Sequence, residues 1–391
     1  MKRSSARKHA LGKRLLELGK NVVALSVTLA LAVLAVLIIV NRDRLNLDGV
    51  KRWVAYGTLD RDESGRTEEF DVSGDGNSAY AALGDTLVVC TGHDLQVFAH
   101  GSRSAARQTV NMNAPIIHSE GSYAAVYDVG GQSLYVLHNA EIVWEYTSPK
   151  GCQILSARVN ASGCLVLVEQ TSGHKATVTV YDEKYRPRIG INESTNFVSD
   201  AVLSPDARSV AVLEFYQDAD SLGCDLVLYN VRDAQKQTTS KLGEDMVIDL
   251  RWKGERIWAQ RESGVTVLDK EGSILNQWER SNKYLSRYCL DGMGFAVEYL
   301  SKYRSGGAGE LRIIGTDGEQ SVSRSINEEV LSISAAGRYV AVLSTSSLMI
   351  FKDDLQEYAS LGNSDARRAI MRPDGSVVLI GTEKARLYIP V

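Results

Sequence analysis

The chain has 391 residues, of which 44% are hydrophobic and 24% charged, with only 6 Pro; that balance supports a buried core and excludes a wholly disordered chain. Its net charge of −4 conceals an asymmetry, because residues 1–20 hold seven basic side chains (Lys2, Arg3, Arg7, Lys8, Lys13, Arg14, Lys20) and one acid, Glu17, leaving 37 basic against 47 acidic groups in the remainder. So acidic a remainder carries no electrostatic footprint for nucleic acid, and five scattered cysteines without a Cys-x-x-Cys pair exclude a disulfide scaffold.

The first predicted element is apolar. From Val22 to Val40 the sequence VVALSVTLALAVLAVLIIV contains no charge, Gly or Pro, and at about 1.5 Å per residue it spans roughly the ~30 Å hydrocarbon thickness of a bilayer. A transmembrane helix within residues 21–41 is expected, and the Lys and Arg before it assign the tail 1–20 to the cytoplasm. The expected localisation is the cell membrane, crossed once, with the lipid bilayer contacted through residues 22–40 and the C-terminal domain extracytoplasmic. A cleaved signal peptide is the rival reading, since Ala30-Leu31-Ala32 resembles a peptidase site; the apolar run continues well past it and exceeds a usual signal core.

Residues 42–66 read as a juxtamembrane linker. Asp48 caps a short predicted helix with Val50, Trp53 and Val54 on one face and Gly57 at its end, and residues 58–66 are polar. Asp60, Asp62 and Ser64, with Asp71 further on, imitate part of a calcium-binding loop. The match lacks the closing bidentate Glu and flanking helices, so an acidic turn is the plainer reading.

From residue 67 to 391 the pattern is all β: short runs rich in β-branched and aromatic residues, separated by Gly, Asp, Asn and Ser. One motif, apolar-x-apolar-apolar, recurs eight times. It reads Leu95–Phe98, Leu134–Leu137, Val178–Tyr181, Leu226–Tyr229, Val265–Leu268, Leu311–Ile314, Leu348–Phe351 and, cut short by Pro390, Leu387–Ile389. A second small-apolar strand precedes each copy, as in Ser209–Leu213 and Tyr339–Leu343, and a turn precedes that strand, clearest in Ser204-Pro205-Asp206-Ala207-Arg208 and Arg372-Pro373-Asp374-Gly375-Ser376. Pro presets the first turn dihedral and Gly accepts positive φ, so these stretches close hairpins. A unit of this size with four strands is a propeller blade, which buries its faces only against neighbours in a ring. The count implies an eight-bladed β-propeller, with seven blades as the alternative. The last unit ends after its third strand, so strand 67–72 is expected to complete it and close the ring.

The Ser/Arg-Pro-Asp hairpins resemble those of TolB-like propellers, and the outer strands ending in Trp144 and Trp278 resemble quinoprotein-type repeats. The whole plan is similar to bacterial membrane-anchored β-propeller proteins of unknown function. WD40-like blades are also called to mind by Gly92-His93 and Gly173-His174, without the Trp-Asp partner that those repeats carry. The resemblance implies architecture, and architecture does not fix function.

Catalytic signatures are missing from the sequence: no His-Glu-x-x-His, Gly-x-Ser-x-Gly or Walker-type loop occurs. Polar residues on the predicted innermost strands, His118, Arg158, Asp200, Asp249, Arg287 and Arg368, are the candidate channel-binding groups, weighed against simple structural pairing. No cofactor is expected. The leading functional expectation is a non-enzymatic module that senses or binds an unidentified envelope protein, peptide or glycan. The alternative is a propeller enzyme, a quinone-cofactor oxidoreductase or a hydrolase, with Asp200 and Asp249 converging in one pocket.

Overall fold

The computed structural model describes residues 27–28 and 65–390, apart from 73, 75–76, 100–102, 219–220, 281, 305, 317–320 and 364. The chain divides into two units, residues 1–57 and 58–391. In the first only the helical residues 27–28 are described, so the expected basic tail, nearly all of the membrane helix and the linker up to residue 64 lie outside the described residues. Among the described residues no helix is long and apolar enough to cross a membrane.

The second unit is all β, and its described strands form eight four-stranded antiparallel sheets. Blades 1 to 8 begin with the inner strands β2 (Ala79–Leu83), β6 (Pro115–Glu120), β10 (Gln153–Val159), β14 (Phe197–Leu203), β18 (Val247–Lys253), β22 (Tyr284–Cys289), β26 (Val330–Ala336) and β30 (Arg368–Met371). The protein is an eight-bladed β-propeller. Every copy of the apolar-x-apolar-apolar motif lies on the third strand of its blade, as in β16 (Ser221–Asn230) and β32 (Lys384–Ile389).

Alternation explains why the blades need one another. Along β15 (Ser209–Asp218), the second strand of blade 4, Val210 and Val212 join a core with Val166, Val168 and Val178 of blade 3. Their neighbours Ala211 and Leu213 join a different core with Leu250, Ile257 and Ala259 of blade 5. Successive side chains of a strand point to opposite faces, so one strand feeds two cores and reads as a continuous apolar run. Outer strands have one free edge, and β9 (Glu141–Thr147) accordingly alternates between exposed and half-buried positions.

The first hairpin of each blade shows the turn chemistry at close range. Ser204 Oγ accepts the backbone N–H groups of Arg208 and Ser209, and Ala207 N donates to Ser204 O. Ala207 sits at φ 53°, where the equivalent position of the Arg372–Ser376 turn holds Gly375 at φ 87°. That is the left-handed region in which glycine alone is free of strain. Asn160 serves the same purpose in blade 3, its Oδ1 accepting from Ser162 N and Cys164 N. It is 5% exposed, so the Asn160-Ala161-Ser162 sequon is a turn device. All five cysteines are free thiols: Cys164 lies in the core between blades 3 and 4 and forms no bridge to Cys152.

Blade 8 is completed by the start of the domain. β1 (Arg66–Asp71) pairs antiparallel with β32 from Arg66↔Ile389 to Asp71↔Lys384, so the edge of β32 is hydrogen-bonded and not open. Phe70 of β1 then packs on Phe98 of β4 (Asp94–Ala99) in blade 1, with ring centroids 5.5 Å apart. This clasp joins the two ends of the domain by hydrogen bonds and by an aromatic contact. Phe70→Ala is expected to cost about 3 kcal/mol of unfolding free energy in urea titration; a loss below about 1 kcal/mol would show that backbone pairing alone holds the ring closed.

Candidate functional site

The inner strands line the central channel, and five consecutive ones carry the same irregularity. A bulge interrupts the register before Ser156, Asp200, Asp249, Arg287 and Ser332 in blades 3 to 7. Such an extra residue bends the strand and re-aims the side chain that follows it. At Asp200 and Asp249 the re-aimed carboxylate accepts the N–H of the next residue, Ala201 or Leu250, at 2.9 Å. The carboxylates thereby stay fixed at the channel wall.

Arg158 of blade 3 joins them. Its Nε donates to Asp200 Oδ1 at 3.0 Å, its Nη2 donates to Asp200 Oδ2, and the same Nη2 reaches Asp249 Oδ1 at 3.0 Å. The network continues through Arg251, which donates to Asp249 and, at 3.2 Å, to Asp291 Oδ1. Lys253 then lies 3.6 Å from both Asp291 and Glu120. Glu120 belongs to blade 2 and Lys253 to blade 5, so the ion pairs reach across the channel between blades.

Three cations face four carboxylates in this set. Burial pushes the Asp249 carboxyl up to about 7 against the pull of Arg158, with Asp200 and Asp291 adding repulsion. Burial also works against the charge of Arg158, but Asp200 and Asp249 outweigh it and hold the guanidinium charged. Beside them His118 is 7% exposed. Burial, then Arg158 and Lys253, drives its imidazole well below the usual range. It is neutral at pH 7, with Nδ1 accepting Val159 N–H at 3.4 Å.

Most of these side chains line a cavity of about 1210 Å³ on the face formed by the first-to-second-strand hairpins, here called the mouth. His118, Arg158, Asp249 and Arg368 line it. Arg368 stands apart from the ion network, exposed, with its guanidinium 5.4 Å from the Tyr80 ring centroid and a bond to Ser78 O. Of the six residues expected at the channel, Arg158, Asp200 and Asp249 converge directly and His118 is adjacent. Arg287 does not join them: it shares the post-bulge position, but its longer side chain donates to Leu331 O at 3.0 Å, and it lines a separate cleft on the opposite, reverse face.

Sequence reasoning missed Glu120, Arg251, Lys253 and Asp291. A signal for two of them was present, because Asp249, Arg251 and Lys253 alternate along one inner strand and so share a face. The metal candidates Asp60, Asp62 and Ser64 lie outside the described residues, while Asp71 ends β1, exposed on the outer edge. Among the described residues no group of three His, Cys, Asp or Glu side chains is placed to hold a metal ion.

With this geometry in hand, residues 63–381 match the family described as Family of unknown function (DUF5711). The chain belongs to the DUF5711 family. None of the curated proteins matches it. Among solved structures, this DUF5711 chain is similar to the C-terminal WD40 domain of Sif2, at 9% identity and TM-score 0.58, covering 86% of this chain and all of that one. It is also similar to the computationally designed Ika8 protein, at 11% identity and TM-score 0.56, covering 82% and 99%. BamB from Moraxella catarrhalis shares 11% identity at TM-score 0.50, covering 83% and 99%. Such identities establish the fold and nothing further.

The charge balance is open to test. A carboxyl raised in the native state binds more protons folded than unfolded, so Asp249 stabilises least above its native pKa of about 7 and progressively more as the pH falls towards its unfolded value. Asp249→Asn is therefore expected to gain about 2 kcal/mol relative to the parent between pH 5 and pH 8 in urea unfolding. An equal difference at both pH values would mean that Asp249 is ionised throughout. Arg158→Met, which strands Asp200 and leaves Asp249 with Arg251 alone, is expected to cost about 3–5 kcal/mol at pH 8, and a cost under about 1 kcal/mol would remove the network from the account of the channel.

Proposed function

We propose that the propeller is a non-catalytic binding module, held at a membrane by a helix over residues 22–40, with its mouth presented to a protein, peptide or glycan of the cell envelope. One observation carries the choice of binding over chemistry: Asp200 and Asp249 meet, as an enzymatic site would need, yet both are held by Arg158. A carboxylate bonded to a guanidinium is a poor general base, whereas an open cavity walled by ion pairs suits the uptake of a protruding group. The mouth has room for several side chains or sugar rings. Its Glu120–Lys253–Asp291 pairs, at 3.6 Å, are long enough to exchange partners with an incoming polar ligand.

The membrane reading rests on the uncharged 19-residue run and the basic residues before it. The hydrolase and quinone-oxidoreductase readings require groups free to act on a substrate, and no specific contact favours them.

A photo-cross-linking residue in place of Met293, 75% exposed on the mouth rim, in the full chain in intact cells is expected to give a defined adduct. The same residue in place of Val143, on the outer edge of blade 2, is expected to give none. Lys253→Glu is expected to weaken the Met293 adduct at least fivefold. Equal adducts at both positions, or none at either alongside turnover of a small substrate, would overturn the binding reading. Protease added outside intact spheroplasts is expected to digest the propeller and spare residues 1–41.

A further inference from the structure

The reverse face, built from the loops that hand one blade to the next and the second strand to the third, carries its own cleft of about 630 Å³. Its chemistry differs from that of the mouth. Arg280, 4% exposed, forms part of the cleft wall, and its guanidinium is fully engaged by Glu298, at 3.0 Å, and by the carbonyls of Arg261 and Glu262. Lys283 is shared with Glu310 at 2.8 Å. Arg287 and Arg304 are different. Among the described residues neither has a carboxylate partner; Arg287 donates only to the carbonyls of Leu331 and Ser286, which leaves Nη2 open. Both belong to blade 6, and both line the cleft.

Two acids bound this basic centre, Glu262 from blade 5 and Glu329 from blade 7. The charge therefore alternates across the cleft, negative, positive, negative, with the excess cation in the middle. The rim adds a second feature. Ile248 and Tyr284, exposed by 41% and 49%, line the same opening. Large side chains of this kind grouped around guanidinium groups are the composition of protein-binding hot spots. The volume admits two or three side chains and not a folded domain.

We propose that this cleft is a second binding site, which takes an extended peptide segment of a partner protein presenting one Asp or Glu beside an apolar or aromatic side chain. The carboxylate pairs with Arg287 and Arg304, in the two-pronged manner that guanidinium groups favour. The apolar neighbour rests on Tyr284 and Ile248, and the flanking Glu262 and Glu329 repel a second acid on either side. This site is separate from the mouth and does not depend on how the mouth is used.

The test pans a phage-displayed library of random dodecapeptides on the full chain in detergent micelles and measures the selected peptides by fluorescence anisotropy. The selected peptides are expected to carry a single acid next to Phe, Tyr, Trp, Leu or Met. Their affinity is expected to fall at least tenfold in Arg287→Ala and in Arg304→Ala, to be partly kept in Arg287→Lys, and to weaken with added salt. Arg107→Ala, an exposed charge on the outer edge of blade 1, is expected to leave it unchanged; circular dichroism of each variant checks that the ring is intact. No enrichment, selected peptides without an acid, or equal affinity for the Arg287→Ala/Arg304→Ala double variant would overturn the proposal. A self-association in sedimentation that disappears in Arg287→Ala would assign the cleft to a second copy of the chain and overturn it as well.

Discussion

Each central strand of this protein supplies side chains to two different cores, and that two-sided demand governs the rest of the structure. Blade 4 alone would leave either Val210 and Val212 or Ala211 and Leu213 in water, whichever neighbour was missing. No subset of blades satisfies all its apolar faces, so stability belongs to the closed ring. The β1–β32 pairing therefore does more than satisfy one edge. It turns a row of local hairpins into an object whose first and last elements are separated by more than 300 residues of sequence yet share a sheet. Such non-local pairing is slow to form, and it makes the finished ring stiff.

Stiffness is what lets the channel hold charge. Inner strands converge on an axis where neighbouring blades no longer cover them fully, and the bulges in blades 3 to 7 turn individual side chains towards that axis. Charged groups there are tolerated only when paired. The structure meets the condition by a chain of contacts from Asp200 through Arg158, Asp249, Arg251 and Asp291 to Lys253 and Glu120. Four carboxylates meet three cations, and burial together with the like charges of Asp200 and Asp291 raises the Asp249 carboxyl to about 7. A carboxyl titrating near neutrality is a common mark of acid–base catalysis. Here the same shift follows first from burial and then from the like charges of Asp200 and Asp291, within a network whose members face one another, which is why it does not by itself argue for an enzyme.

The parts of the fold that were legible in the sequence are those set by local pattern. The third-strand motif from Leu95–Phe98 onward marks each blade because a strand covered on both faces must be apolar at nearly every position. The turns at Ser204–Arg208 and Arg372–Ser376 declare themselves through Pro and a positive-φ residue. The closing strand was legible by subtraction, since a blade lacking its fourth strand must borrow one; its bounds, Arg66–Asp71, differ from 67–72 by one residue. Site geometry was less legible. Arg287 and Asp249 occupy matching positions after a bulge, yet they serve different cavities: register determines where the Cβ starts, while side-chain length and the nearest carbonyl, Leu331 O, determine where the charge ends. Asp291 lies just beyond a strand end, in a hairpin whose approach to Lys253 follows only from ring curvature.

The mouth and the reverse cleft lie on opposite faces of the ring, and this bears on whether they communicate. Transmission between sites needs an element with two arrangements of similar energy. The blades between mouth and cleft are joined by continuous apolar cores in which Val166, Val297, Val340 and Leu348 are fully buried, and close-packed cores of this kind resist graded deformation. Asp249, whose carboxyl is raised to about 7, gains or loses a proton and so alters the charge of the ion network without requiring any strand to move. Coupling between the faces would accordingly be electrostatic and pH-dependent instead of mechanical, with Arg158 and Arg251 as the groups that feel it first. The reverse cleft draws its field from Arg287 and Arg304, which among the described residues make no ion pair with that network. Its chemistry is therefore independent of the mouth at fixed pH.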